Sequence, residues 1–186
     1  ISNICYHSAN VKSGSLFICL KGFRTDGHEY LPKVLKAGAA AVVIEKSAVV
    51  QIRDDMLLYT EQQCLRVSEM KERWGVTVII VANSRMVLAE ASAAFFDYPA
   101  KKLRMIGITG TKGKTTTAYL IYSILNAAGK SAAYIGSNGI DYAEFHYDTA
   151  NTTPESCDLH YHFSKMVSAG IEFVAMEVSS QALYMN

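Results

Sequence analysis

The run Met105-Ile-Gly-Ile-Thr-Gly-Thr-Lys-Gly-Lys-Thr-Thr-Thr117 sets glycines, a lysine and hydroxyl side chains in the order that phosphoryl chemistry uses. Glycines let the backbone approach phosphate oxygens, successive N–H groups at a helix start meet negative charge, and the lysine reaches the β- and γ-phosphates. This assigns Gly110, Thr111, Lys112, Gly113, Lys114, Thr115 and Thr116 to ATP binding, with Lys114 as the catalytic cation and the Thr115 hydroxyl as a Mg2+ ligand. The spacing departs from the strict G-x-x-x-x-G-K-[ST] pattern, because Ile108 stands five before Gly113 and the glycine falls at Gly110 instead. A glycine turn of purely structural use is the alternative, and Gly-Lys-Thr at the helix start argues against it.

A second candidate is Glu177, at the end of an apolar run where a carboxylate is costly unless paired or metal-bound. It is expected to be catalytic and a second Mg2+ ligand; an exposed strand-end glutamate or a structural ion pair is the alternative. The segment Asp148 to Glu155 leads into a helix start, which suits anion binding and is equally explained by ordinary capping. Cys157, His160 and His162 do not make a zinc site by spacing, since 157 and 160 share a helical face and 162 turns away. His7 and His28 have no nucleophile to serve and are expected in solvent or in turns.

These residues need strands and helices to position them. Leu103 to Ile108 reads as a strand, Gly110 to Lys114 as a turn, and Thr115 onward as a helix burying Leu120, Ile121, Ile124, Leu125 and Ala128. Ser131 to Ile135 is the next strand. After a polar loop, Thr153 caps a helix with Pro154 at its first position and a stripe of Leu159, Phe163, Met166 and Val167. Ile171 to Val178 follows as a strand. Upstream, Leu16 to Leu20, a helix around Tyr30, Leu31, Val34 and Leu35, and Ala40 to Ile44 form a strand-helix-strand unit. Glu45 to Trp74 carries a weak helical pattern through Met56, Leu57, Leu65, Val67 and Met70. Val76 to Ala82 is a strand, and Ser84 caps a helix that Tyr98-Pro99 stops.

Alternating strands and helices imply parallel sheets with ligands at the carboxyl ends of the strands. The fold class is therefore α/β: a small N-terminal α/β domain over 1–98, then a partial three-layer α/β phosphate-loop domain over 103–186. Half the residues are hydrophobic and the net charge is +1, so a globular core is expected and no electrostatic pull toward nucleic acid or anionic lipid. The longest apolar runs fall far short of the roughly 18 residues of a membrane span. Four scattered cysteines suit free thiols in a reducing compartment, and the run from Ile1 to Cys5 shows no secretion-signal pattern, so the cytoplasm is expected; the protein is also expected to be a monomer.

Gly107-Ile-Thr-Gly-Thr-Lys-Gly-Lys-Thr-Thr-Thr117, Asn151-Thr-Thr-Pro154 and Met176-Glu-Val-Ser-Ser-Gln-Ala-Leu183 together resemble the Mur ligases in order and spacing, and within them the MurE branch. Val11-Lys-Ser-Gly-Ser-Leu-Phe17, Lys21-Gly22 and Asp26-Gly-His-Glu-Tyr30 resemble the UDP-binding domain of that family. The resemblance implies an ATP-dependent ligase that phosphorylates the terminal carboxylate of UDP-N-acetylmuramoyl-L-alanyl-D-glutamate. An amino group of diaminopimelate or lysine then attacks the acyl phosphate, giving amide, ADP and phosphate. Carried over residue by residue, Asn151, Thr152, Thr153 and Ser179 hold the muramyl-dipeptide substrate and Ser8 contacts the uridine end.

The chain departs from the family pattern at His7-Ser8-Ala9, where Asp-Ser-Arg is usual, at Lys112, where Asn is common, and at Gln181, where His is common. The stretch from Ser47 to Trp74 is longer than the family leads one to expect and reads as an insertion. The resemblance places a modified lysine and an amino-acid-receiving domain beyond Asn186, so these residues alone are expected to bind nucleotide or substrate weakly without turnover. Two other readings stay open: a different phosphate-loop switch or kinase, and a non-catalytic sugar-nucleotide-binding module.

Overall fold

A computed structural model describes residues 1–22, 25–52, 55–60, 64–149 and 151–185. Their contacts divide the chain into two compact units, 1–88 and 89–186.

In the first unit, β1 (Asn3–Cys5), β2 (Ser15–Ile18), α1 (Leu31–Lys36) and β3 (Ala41–Glu45) are followed by a segment that differs from the sequence expectation. Instead of a weak helix it forms β4 (Val49–Ile52), β5 (Asp55–Tyr59) and β6 (Cys64–Arg66), an antiparallel three-stranded sheet, before the short α2 (Val67–Trp74). The apparent helical spacing spans two elements: Leu58 and Met70, both fully buried, come from β5 and α2 and join one core with Phe17, Leu31 and Val42. β7 (Thr77–Val81) completes a parallel sheet of order β1-β2-β3-β7.

The chain passes from the first unit to the second within α3 (Ser84–Phe95). Asn83, not Ser84, caps this helix: its Oδ1 accepts from the N–H groups of Arg85 (2.9 Å) and Met86 (3.1 Å). Ser84 is buried and ties to Glu45 instead. Asp97 and Tyr98 adopt left-handed conformations (φ 60° and 48°), ending the helix just before Pro99.

The second unit contains β8 (Arg104–Ile108), α4 (Lys114–Ala127), β9 (Ala132–Gly136), β10 (Gly139–Tyr142), β11 (Phe145–Tyr147), α5 (Ser156–Ser168), β12 (Phe173–Glu177) and α6 (Ser180–Met185). Its sheet order is β11-β10-β9-β12-β8, with β9, β12 and β8 parallel. The expected polar loop after β9 is an antiparallel hairpin, β10–β11, extending that sheet. Ala133, Ile135, Ile140, Phe163, Met166 and Val174 share its core. On α4 the expected stripe is not buried: Leu120 and Ile124 are 55% and 64% exposed, Ala128 is exposed, Ile121 and Leu125 are half-buried, and the buried residue is Ala118. On α5 the stripe is as read, but the helix starts at Ser156, so Thr153 does not cap it.

None of the four cysteines is in a disulfide; Cys5, Cys19 and Cys157 are buried and Cys64 is exposed. No helix among the described residues is long and apolar enough to cross a membrane.

Candidate functional site

β8 delivers the chain at Ile108 to the phosphate loop, and α4 takes it up at Lys114. Gly113, the residue before the helix, has φ 79°, a left-handed conformation that glycine adopts without a Cβ penalty. It provides no side-chain cap, so the first N–H groups of α4 face the loop without a competing side-chain acceptor. The Lys114 ammonium donates to the Gly110 carbonyl at 2.9 Å, folding the side chain back over the loop.

β12 lies between β9 and β8, and its last residue, Glu177, pairs in register with Ile108. That register sets the carboxylate beside the start of α4. Glu177 is 1% exposed and its carboxyl accepts from three residues. Oε2 accepts from the Thr115 hydroxyl (2.9 Å), while Oε1 accepts from the Tyr134 phenol (2.7 Å) and the Ser137 N–H (2.8 Å). Burial, reinforced by the hydrogen bond to Glu177, pushes the Tyr134 phenol well above its ordinary pKa. The Thr115 hydroxyl and the Glu177 carboxylate are hard oxygen donors, the type that holds Mg2+.

The loop before α5 reaches the same strand end. The Thr153 hydroxyl donates to the Glu177 carbonyl (3.1 Å) and accepts from the Ser179 N–H (3.0 Å). Thr152 and Ser137 join hydroxyls at 3.0 Å, and Asn151 is exposed. Thr152, Thr153 and Ser179 are thus assembled around Glu177. Tyr134 and Ser137 are functional candidates that sequence reading missed. Tyr134 sits in an apolar strand where tyrosine reads as packing, and the only cue was the glycine two residues on.

Elsewhere, Ser8 lies half-buried in a short 3-10 turn of the first unit. Within that unit a cavity of about 500 Å³ opens beside Lys21, Asp26, Tyr30, Tyr59 and Thr60, and Ser8 is not among its lining residues. Of the two places expected for His28, solvent or a turn, it takes the turn, Gly27–Tyr30, where it is 1% exposed. Its Nε2 accepts from the Glu45 N–H (3.0 Å) while Nδ1 pairs with Asp26, so a buried turn histidine ties this loop to the end of β3. Cys157 is buried, His160 and His162 are half-buried, and burial lowers the pKa of both imidazoles.

Residues 1–96 match the family model described as Mur ligase family, catalytic domain, and residues 108–186 match Mur ligase middle domain. The UDP-N-acetylmuramoyl-L-alanyl-D-glutamate--2,6-diaminopimelate ligase of Geobacillus kaustophilus is 41% identical over 177 residues, 95% of this chain and 31% of that protein. The ligase of the same name from Clostridium perfringens is 36% identical over 100% of this chain and 34% of its own length. The chain thus spans about a third of the length of these relatives. A solved structure of a ligase of that name superposes with a TM-score of 0.69 at 21% identity, covering 98% of this chain and 33% of that one. The MurF ligase of Thermotoga maritima in complex with ADP superposes with a TM-score of 0.52 at 19% identity, over 96% and 32%.

Proposed function

The chain belongs to the Mur ligase family, and we propose that it is the part of a cytoplasmic peptidoglycan-precursor ligase that binds ATP and the UDP-linked acceptor. The domains are taken as 1–98 for the UDP-linked substrate and 103–186 for ATP. The whole ligase adds an amino acid to UDP-N-acetylmuramoyl-L-alanyl-D-glutamate, and the names of its relatives support 2,6-diaminopimelate over lysine.

The observation that carries this reading is the Thr115–Glu177 contact beside a helix that starts without a side-chain cap. Gly110 to Thr116 cradle the phosphates, and Lys114 swings from the Gly110 carbonyl to neutralise charge between the β- and γ-phosphates. Thr115 and Glu177 hold Mg2+, which when bound neutralises phosphate charge during transfer. Asn151, Thr152, Thr153 and Ser179 orient the acceptor carboxylate toward the γ-phosphate. The carboxylate oxygen attacks the γ-phosphorus as its bond to ADP breaks, and the incoming amine then displaces phosphate from the acyl phosphate, forming the amide and giving up a proton. Ser8 and the cavity beside Lys21 receive the uridine diphosphate end, with Tyr30 and Tyr59 as aromatic walls.

Titrating Mg2+-ATP into this chain by calorimetry tests the nucleotide half. Lys114→Ala is expected to weaken binding about 100-fold, on the scale of losing a charge-stabilising group, and unchanged affinity would overturn the assignment. For the acceptor half, UDP-N-acetylmuramoyl-L-alanyl-D-glutamate is expected to shift amide signals within 1–98 and 151–180. ATP binding without those shifts would favour a switch or kinase.

A further inference from the structure

The two oxygens of Glu177 are not equivalent. Oε1 receives the Tyr134 phenol and the Ser137 N–H, whereas Oε2, among the described residues, receives the Thr115 hydroxyl alone. The phenol is itself fixed in direction. Its single proton is donated to Oε1 across 2.7 Å. The ring has no exposed surface and packs edge-on against Tyr119, with centroids 5.5 Å apart.

This arrangement requires the residue at 136 to lack a side chain. A β-carbon built on Gly136 would overlap both Glu177 Oε1 and the Tyr134 hydroxyl. The close approach at the end of β9 therefore brings the phenol, the carboxylate and the Ser137 amide onto one point.

We propose that Tyr134 is a positioning residue for the metal-binding carboxylate: with Ser137 it saturates Oε1 and leaves Oε2, on the Thr115 side, as the oxygen presented to a divalent cation. This rests on the reading of Thr115 and Glu177 as cation ligands. Outer-shell partners of a ligating carboxylate fix its orientation, and their loss costs about 10–100-fold in metal affinity. Without the phenol the carboxylate can rotate about its last torsion and offer either oxygen. The cation then binds a population of orientations rather than one.

Tyr134→Phe removes one oxygen and keeps the ring contacts. Two measurements on the 186-residue chain decide the matter. In the first, Mn2+ is titrated into nucleotide-free protein and the paramagnetic broadening of the Thr115 and Ser137 amide signals is followed. The midpoint is expected to rise about tenfold in the variant, in line with loss of an outer-shell partner. In the second, ATP affinity is measured with and without Mg2+: the gain that Mg2+ confers should shrink about tenfold while affinity without metal stays the same. A variant with parental Mn2+ midpoint overturns the proposal, as does absence of any broadening in the parent. A variant that loses its fold also overturns it, since the phenol would then be a folding determinant. Failure of both proteins to bind ATP would sink the nucleotide site proposed above, while the Mn2+ midpoints would still decide the role of Tyr134.

Discussion

Two strand-end glutamates invite comparison. Glu45 closes β3 in the first unit and Glu177 closes β12 in the second, each on a strand flanked by parallel neighbours. Each receives a hydroxyl and a backbone N–H. Glu45 Oε1 accepts both the N–H (3.0 Å) and the hydroxyl (2.7 Å) of Ser84. Burial alone would raise the Glu45 pKa, but these bonds outweigh it and hold the carboxyl below its ordinary value. The difference lies in the helix each one faces. At the start of α3, Asn83 takes the N–H groups of Arg85 and Met86 and Glu45 takes that of Ser84, so protein oxygens already occupy them. At the start of α4 the glycine cap brings no such oxygen. The same local device therefore pins a helix in one unit and leaves room for a phosphate in the other.

Substituting each glutamate separates the two uses most sharply. Glu177→Ala is expected to reduce Mg2+-dependent ATP binding about 100-fold by calorimetry, the upper end for disturbing a metal site. Glu45→Ala should leave that affinity unchanged, and an equal loss from both would break the comparison. Ser84→Ala comes next. It deletes a buried hydroxyl donor to a carboxylate and is expected to cost about 2 kcal/mol, read as faster hydrogen exchange in β3 with β12 unaffected. Asn83→Ala removes a cap and should cost about 1 kcal/mol by the same measurement, again without effect on nucleotide.

The smallest effect concerns pH. Burial lowers the pKa of His160 and His162, whereas the Asp141 carboxylate beside His146 raises that of His146. A lowered imidazole pKa means the unfolded state binds more protons in acid. Its contribution is complete above the free histidine value, about 6.5, and is lost as pH falls below it. His146 has the opposite sign: its contribution is present below about 6.5 and is lost as pH rises through its higher native value. In His146→Asn, exchange protection of β9 and β12 should thus decline from pH 7 toward pH 5. In the first unit, the lowered Glu45 makes a contribution that is present above about 4.3 and is lost as pH falls through its lower native value, so β3 should hold its protection to more acidic conditions. Loss at the same pH in both units would contradict this.

Much of the frame was legible from local pattern. The runs at Leu16, Ala40, Val76, Leu103, Ser131 and Ile171 are strands because consecutive apolar residues there have no helical period to satisfy. The stripe of α5 was legible for the converse reason. The three short strands between Val49 and Arg66 were not, since each is too brief to show alternation and their burial depends on α2 and the first core. Leu120 and Ile124 misled in the other direction: their type predicts burial, but α4 sets Tyr119 and Tyr122 against Tyr134 of the sheet, buries Ala118 and leaves them exposed.

The phosphate loop and the suspicion attached to Glu177 belong to the sequence, because glycines at set spacing before Lys-Thr and a carboxylate in an apolar run are local facts. What only tertiary structure decided is the strand order. Placing β12 between β8 and β9 puts a residue 62 positions from Thr115 within 2.9 Å of it. The same order turns Tyr134, which reads as ordinary packing, into a hydrogen-bond donor to that carboxylate. Spacing along the chain carries no information about which strands are neighbours in the sheet. Contacts between residues far apart in sequence arise from sheet pairing and core burial acting together.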